Sequence, residues 1–171
     1  MRRVALVVIS LVALLLGACT APQGSVVRGV EVASVEWVDG QQGGVPERVT
    51  LAVDIENRGA AAFVRKGRIR IGYAGRRVLM FTLNERIKIP RKSVSRVLVP
   101  LDVNMAHNSQ AMAFRGALLR HDISQMEMDW EVTGRVGVIG ARIVQPTEPL
   151  SEVMSEPMLS TLWQITDKMT R

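Results

Sequence analysis

LAVDIENRG, residues 51–59, decides how this chain folds. Leu51, Val53 and Ile55 alternate with Ala52, Asp54 and Glu56, the period of a strand with one buried face. The pattern stops at Asn57-Arg58-Gly59, because Asn and Gly tolerate the left-handed backbone that ends a strand. Extended back to Val49, this predicts a strand over 49–56, and the chain on either side repeats the same grammar.

Upstream, Val30 and Val32 alternate, then Val35 and Trp37 alternate on the opposite parity, so the slip at Ala33-Ser34 predicts a β-bulge or a strand crossing between sheets. VDGQQGGVPE (38–47) reads as a loop by its Gly, Asp and Pro content. Downstream, FVRKGRIRIGY (63–73) places Ile69, Ile71 and Tyr73 inward and Arg68 and Arg70 outward. AGRR turns, and VLMFTL (78–83) is apolar on both faces, as a central strand is. Ile87 and Ile89 alternate before Pro90. VSRVLVPLDV (94–103) points Val97, Val99, Leu101 and Val103 one way, and Pro100 on the other parity favours an edge. Alternation disappears after residue 104, where Met112, Ala113, Ala117 and Leu118, with Phe114 and His121, recur at helical spacing behind a cap at Asn108 or Ser109, which predicts a helix over 109–120. MEMDWEVTG (126–134) restores alternation, with Met126, Met128, Trp130 and Val132 in and Glu127, Asp129 and Glu131 out. RVGVIGARIV (135–144) continues as a strand with glycine kinks, and Pro146 and Pro149 end the domain. The tail carries Leu150, Val153 or Met154, Met158, Leu162, Ile165 and Met169 at helical spacing, with Pro157 fitting the first turn of a second helix. About seven strands with turns between them, one short helix between the last two and a helical C-terminal tail make a mainly-β chain, a sandwich.

The N-terminus concerns address. Arg2-Arg3, the run Val4–Leu16 broken only by Ser10, and Leu16-Gly17-Ala18-Cys19 form the three parts of a secretory signal, too short for a comfortable membrane span. The closing tetrad resembles the lipobox of bacterial lipoproteins, in which the cysteine is acylated and becomes the first residue. Cys19 is the chain's only cysteine, and an exported lone thiol is an oddity unless it is used. The expected layout is therefore signal peptide 1–18, lipidated Cys19 and tether 19–27, sandwich 28–146 and tail 147–171. Thr20 rather than Asp after the cysteine implies sorting to the outer membrane, facing the periplasm. The mature chain, 19–171, carries 20 basic and 16 acidic residues, suits one domain with a sizeable core, and is too poor in aromatics to offer a stacking surface.

The order of elements resembles the late-embryogenesis-abundant type 2 (LEA type 2) family, with its water-stress and hypersensitive-response domain. The resemblance runs through GVEVASVEW (29–37), LAVDIEN (51–57), GRIRIGYAGRRV (67–78), IKIPRKSVSRVLVPLDV (87–103) and MDWEVTGRVGV (128–138), within about residues 28–145. It implies an immunoglobulin- or fibronectin III-like sandwich and a protective role under desiccation. The chain departs from the family at Asn57-Arg58, where the family usually has Asn-Pro, so Gly59 must supply the turn.

Catalytic chemistry leaves little trace. His107 and His121 lack any metal or catalytic spacing. Asp54 with Glu56, and Glu127 with Asp129 and Glu131, read as solvated strand faces, and no phosphate loop or nucleophile motif is present. No enzyme activity, cofactor, metal, small-molecule substrate or nucleic acid is expected. The unusual feature is charge segregation. Arg65 to Arg96 is almost wholly basic (Arg65, Lys66, Arg68, Arg70, Arg76, Arg77, Arg86, Lys88, Arg91, Lys92 and Arg96 against Glu85), and His121 to Glu156 is predominantly acidic. Two readings follow. Arg65, Lys66, Arg68, Arg70, Arg76, Arg77, Arg86 and Lys88 contact an anionic lipid or glycan surface, or strands carrying Arg68 and Arg70 lie beside Glu127, Asp129 and Glu131 and the charges pair. The Met-rich tail docks on its own domain or takes a partner. The expected role is a non-enzymatic, protective or chaperone-like envelope lipoprotein; the alternative is a scaffold that recruits an envelope protein.

Overall fold

A computed structural model describes residues 25–37, 46–106, 109–154, 156, 159, 160 and 163. The signal, Cys19, most of the tether and His107 lie outside the described residues. Among the described residues the chain is mainly β and antiparallel, with eight strands: β1 (Ser25–Trp37), β2 (Pro46–Asn57), β3 (Ala62–Tyr73), β4 (Arg76–Leu83), β5 (Ile87–Ile89), β6 (Ser93–Met105), β7 (Met126–Val136) and β8 (Ile139–Pro149). Helix α1 (Ser109–Leu119) joins β6 to β7, and a single turn, α2 (Leu150–Val153), follows β8.

The strand order is β1-β2-β6-β4-β3-β7-β8, with β5 pairing the start of β3. β6 pairs β2 over Ser93–Asp102 but β4 only over Asp102–Met105. The sheet therefore parts along most of β6, and β1-β2-β6 face β3-β4-β7 as the two layers of a sandwich. Alternation fills the space between them: Val49, Leu51, Val53 and Ile55 from β2, Ile69 and Ile71 from β3, Phe81 and Leu83 from β4, Leu101 from β6, and Met126 and Met128 from β7 form one buried cluster. Burying such side chains supplies roughly 1.5–3 kcal/mol each.

β2 ends as its sequence predicts, and Asn57 shows why. It is 3 % exposed, the only buried polar or charged residue among those described. Its Oδ1 accepts from Gly59 N at 2.9 Å, closing the turn, while Nδ2 donates to the Ala60 carbonyl at 2.9 Å and the Pro90 carbonyl at 2.7 Å. One amide satisfies its own turn and ties the β2–β3 loop to the β5–β6 turn, where Lys92 N also donates to Gly59 O.

Several local expectations change. The bulge falls at Ala33, as the parity slip requires, with further register shifts beside Arg28 and at Glu36/Trp37. β6 is an inner strand rather than an edge; Pro100 pairs Thr50 of β2 and lies beyond the stretch shared with β4, so no β4 carbonyl needs its missing N–H. RVGVIGARIV is a hairpin rather than one kinked strand: Gly137 takes φ +59 between paired Val136 and Ile139, the positive first position of a type II′ turn. The helix therefore precedes the final hairpin. Within α1, Ala111, Phe114, Ala117 and Leu118 are buried, but Met112 faces solvent, 68 % exposed. α1 ends in a Schellman motif, with Asp122 N to Ala117 O and His121 N to Leu118 O, and His121 at φ +58 where glycine is usual. Its ring stacks on Trp163 at 4.6 Å. β8 runs through Pro146 to Pro149, an edge strand tolerating both. Leu150 and Met154 are buried in the core and Val153, Leu159 and Trp163 pack against it, so the described part of the tail docks on its own domain.

Candidate functional site: the charged surface of the sandwich

The two layers carry their outward charges differently. On β1-β2-β6 the outward residues pair across strands. Arg96 bridges Glu31 and Asp54; Glu56 is held by Arg28 and Arg58; Arg48 reaches Asp102 at 2.8 Å and Glu85 at 3.4 Å. Hydrogen bonds from Arg58 and then Arg28 hold the Glu56 carboxyl below its ordinary value. The Asn84 amide, then Arg48, does the same for Asp102. Arg96 is raised by its bond to Glu31 and Arg48 by its bond to Asp102.

On the other layer, register sets Lys66, Arg68 and Arg70 of β3 opposite Thr133, Glu131 and Asp129 of β7. This is the side-by-side arrangement of basic and acidic strands that the pairing reading requires, and it is partly realised. Arg70 bonds Asp129. Glu131 instead takes Arg142 of β8, at 2.9 Å, and Glu127 folds its side chain over Gly72. Arg68 is left exposed, without a salt bridge among the described residues.

The eight cations singled out by sequence thus separate. Arg70 is neutralised. Arg76 and Arg77 sit beyond Tyr73, at the end of the sandwich where α1 and α2 lie. Arg65, Lys66 and Lys88 sit toward the opposite, Asn57 end, where Phe63 pairs Lys88 and Ala62 pairs Ile89, and Arg86 precedes β5 just above them. Arg68 lies between. Arg91 and Lys92 join the Asn57 end through the β5–β6 turn, and Arg135 stands over the Phe63 ring at 4.5 Å. Among the described residues none of Arg65, Lys66, Arg68, Arg76, Arg77, Arg86, Lys88, Arg91 and Lys92 has a carboxylate within ion-pair distance.

Sequence reading missed the apolar surface beside this end. Val138 at the β7–β8 turn is 97 % exposed and Ile139 72 %, and Ile143 and Val144 are exposed further along β8. The signal was present in the glycines of VGVIG, which mark a turn as readily as a kink. Among the described residues no group of three or more His, Cys, Asp or Glu is placed to hold a metal ion, and no helix is long and apolar enough to cross a membrane.

No family model matches the chain, and no curated protein matches it. Several solved structures are similar, two of them as follows. A protein from Archaeoglobus fulgidus is 12 % identical, with 71 % of this chain and 94 % of that one covered at a TM-score of 0.39. The GAE domain of yeast GGA1 is 7 % identical, with 77 % and 96 % covered at a TM-score of 0.31.

Proposed function

We propose that the chain is a non-enzymatic envelope lipoprotein, acylated at Cys19, whose LEA type 2-like sandwich shields other proteins under water stress. The observation that supports this reading best is β8: an eleven-residue strand paired, among the described residues, on one side only, with Ile139, Ile143 and Val144 exposed. An open apolar edge offers backbone N–H and C=O groups plus side-chain contact to an unfolding chain. Pro146 and Pro149 interrupt its far half, which limits runaway self-pairing while leaving Ile139–Gln145 available. Weak, sequence-tolerant contacts of this kind suit a protective surface better than a shaped pocket does.

The test is recovery of a labile enzyme after drying with Thr20–Arg171, which holds every described residue, against an equal mass of serum albumin. The expected result is recovery clearly above albumin, reduced toward it by Ile143→Lys with Val144→Glu. Recovery equal to albumin refutes the protective role. A second reading, a binding module for an envelope surface, is favoured by the cations left without carboxylates at the Asn57 end.

A further inference from the structure

The second reading gains a direction from where the chain enters the fold. β1 begins at Ser25, opposite Asn57, which in turn lies opposite Ser93. The first described residue therefore sits at the end built from the β2–β3 loop, the β5–β6 turn and the β7–β8 hairpin tip, whose Gly137 N donates to Ala61 O at 2.8 Å. That end carries Lys88, Arg91, Lys92 and Arg135, together with Arg28 and Arg58, both held by Glu56; Asp54 lies one step further in and takes Arg96. It also carries the exposed apolar tip Val138-Ile139, with Val94 of β6 79 % exposed nearby. The opposite end holds α1, α2 and the Arg76-Arg77 pair.

We infer that the Asn57 end is a membrane-facing surface that seats on anionic lipid headgroups, with the Val138-Ile139 tip dipping into the interface. The inference rests on the reading of Cys19 as the lipidated residue. Cys19 precedes Ser25 by six positions, and a fully extended chain spans at most about 3.6 Å per residue. The anchor therefore keeps Ser25 within roughly 20 Å of the lipid. β6, thirteen residues long, rises about 3.3 Å per residue, so the Arg76-Arg77 end stands roughly 40 Å further out. Screening at physiological salt has a length of about 8 Å; only cations at the near end feel the surface. Cations around an exposed apolar tip are the combination that interfacial binding uses, charge for attraction and apolar area for insertion. A soluble protein partner would not require both features to cluster where the anchor joins.

The experiment sediments Thr20–Arg171 with vesicles of phosphatidylcholine alone or with three-tenths phosphatidylglycerol, at low and high salt. Binding at least ten-fold tighter to the anionic vesicles, lost at high salt, is expected. Lys88→Glu with Arg91→Glu abolishes that preference, while Arg76→Glu with Arg77→Glu, the same change in net charge at the far end, leaves it within two-fold. Val138→Asp weakens binding to anionic vesicles several-fold without altering thermal unfolding. Among the described residues all four substituted cations are exposed and without an ion pair, and matched unfolding curves confirm that the variants fold. Equal losses in the two charge variants, or no preference for anionic vesicles, overturn the oriented surface. Separately, labelled palmitate incorporated by the full chain but not by Cys19→Ser supports the anchor; absence of label overturns the anchor reading whatever the vesicles show.

Discussion

At the residue scale, Asn57 carries the most structure per atom. Its amide makes three hydrogen bonds in a buried position, each of net value about 1 kcal/mol. Asn57→Ala is expected to cost about 2–3 kcal/mol in denaturant unfolding. Asn57→Asp keeps the acceptor for Gly59 N but turns a carboxylate oxygen on the Ala60 and Pro90 carbonyls, so it is expected to destabilise at neutral pH and recover in acid. That Asn57 stops the strand is legible in the sequence. That it reaches Pro90, thirty-three positions away, is not, because nothing local states which turns meet. Glu56 gives a second residue-scale prediction. Its folded pKa is lowered by Arg58 and Arg28, so the unfolded chain takes up the proton first as pH falls. The stability it contributes is full above the unfolded glutamate value, about 4.3, and is lost as pH drops through the folded value. Thermal unfolding followed from pH 7 to pH 3 is expected to show that loss, and Glu56→Gln to flatten it.

At the scale of elements, alternation made most strands readable, since β2, β3 and β7 each bury one face against the core. The errors arose where alternation carries no information about partners. Pro100 suggested an edge, yet β6 has partners on both sides at different heights. RVGVIGARIV lacks the Asn-Gly or Asp-Gly that flags a hairpin, and its glycines, set among apolar residues, fit a kink as well as a turn. The β3–β4 hairpin is the converse: Ala74 and Gly75 both take positive φ, +52 and +73, as a type I′ turn requires, and alanine is a poor choice there. Ala74→Asn is expected to relieve about 1 kcal/mol of left-handed strain and raise the melting temperature by roughly 2–4 °C; a lower melting temperature would contradict the assignment. The tail is also part of the fold: 147–149 close β8 and Leu150 follows directly into the core. Leu150→Ala removes a wholly buried side chain and is expected to cost about 3 kcal/mol, whereas an exposed tail would tolerate it.

For the whole molecule, the surface was the least legible feature. The sequence shows a basic stretch, Arg65 to Arg96, and an acidic one, His121 to Glu156, but pairing is decided by topology. Arg96 finds Glu31 sixty-five positions away, and Arg142 takes the Glu131 that lies opposite Arg68. What pairing leaves over is a free basic surface at the Asn57 end, next to exposed Val138 and to the start of β1. Under the proposed anchoring at Cys19, the basic surface and apolar tip at one end face the envelope, with the helices and the described part of the tail at the other end and β8 along the side. Every part of that description turns on Cys19. The most direct measurement is the intact mass of the protein recovered from membranes of cells expressing the full chain. The account predicts a polypeptide beginning at Cys19 and carrying the added mass of acyl groups. A chain that retains residues 1–18, or one cut elsewhere and bearing no lipid, would contradict it.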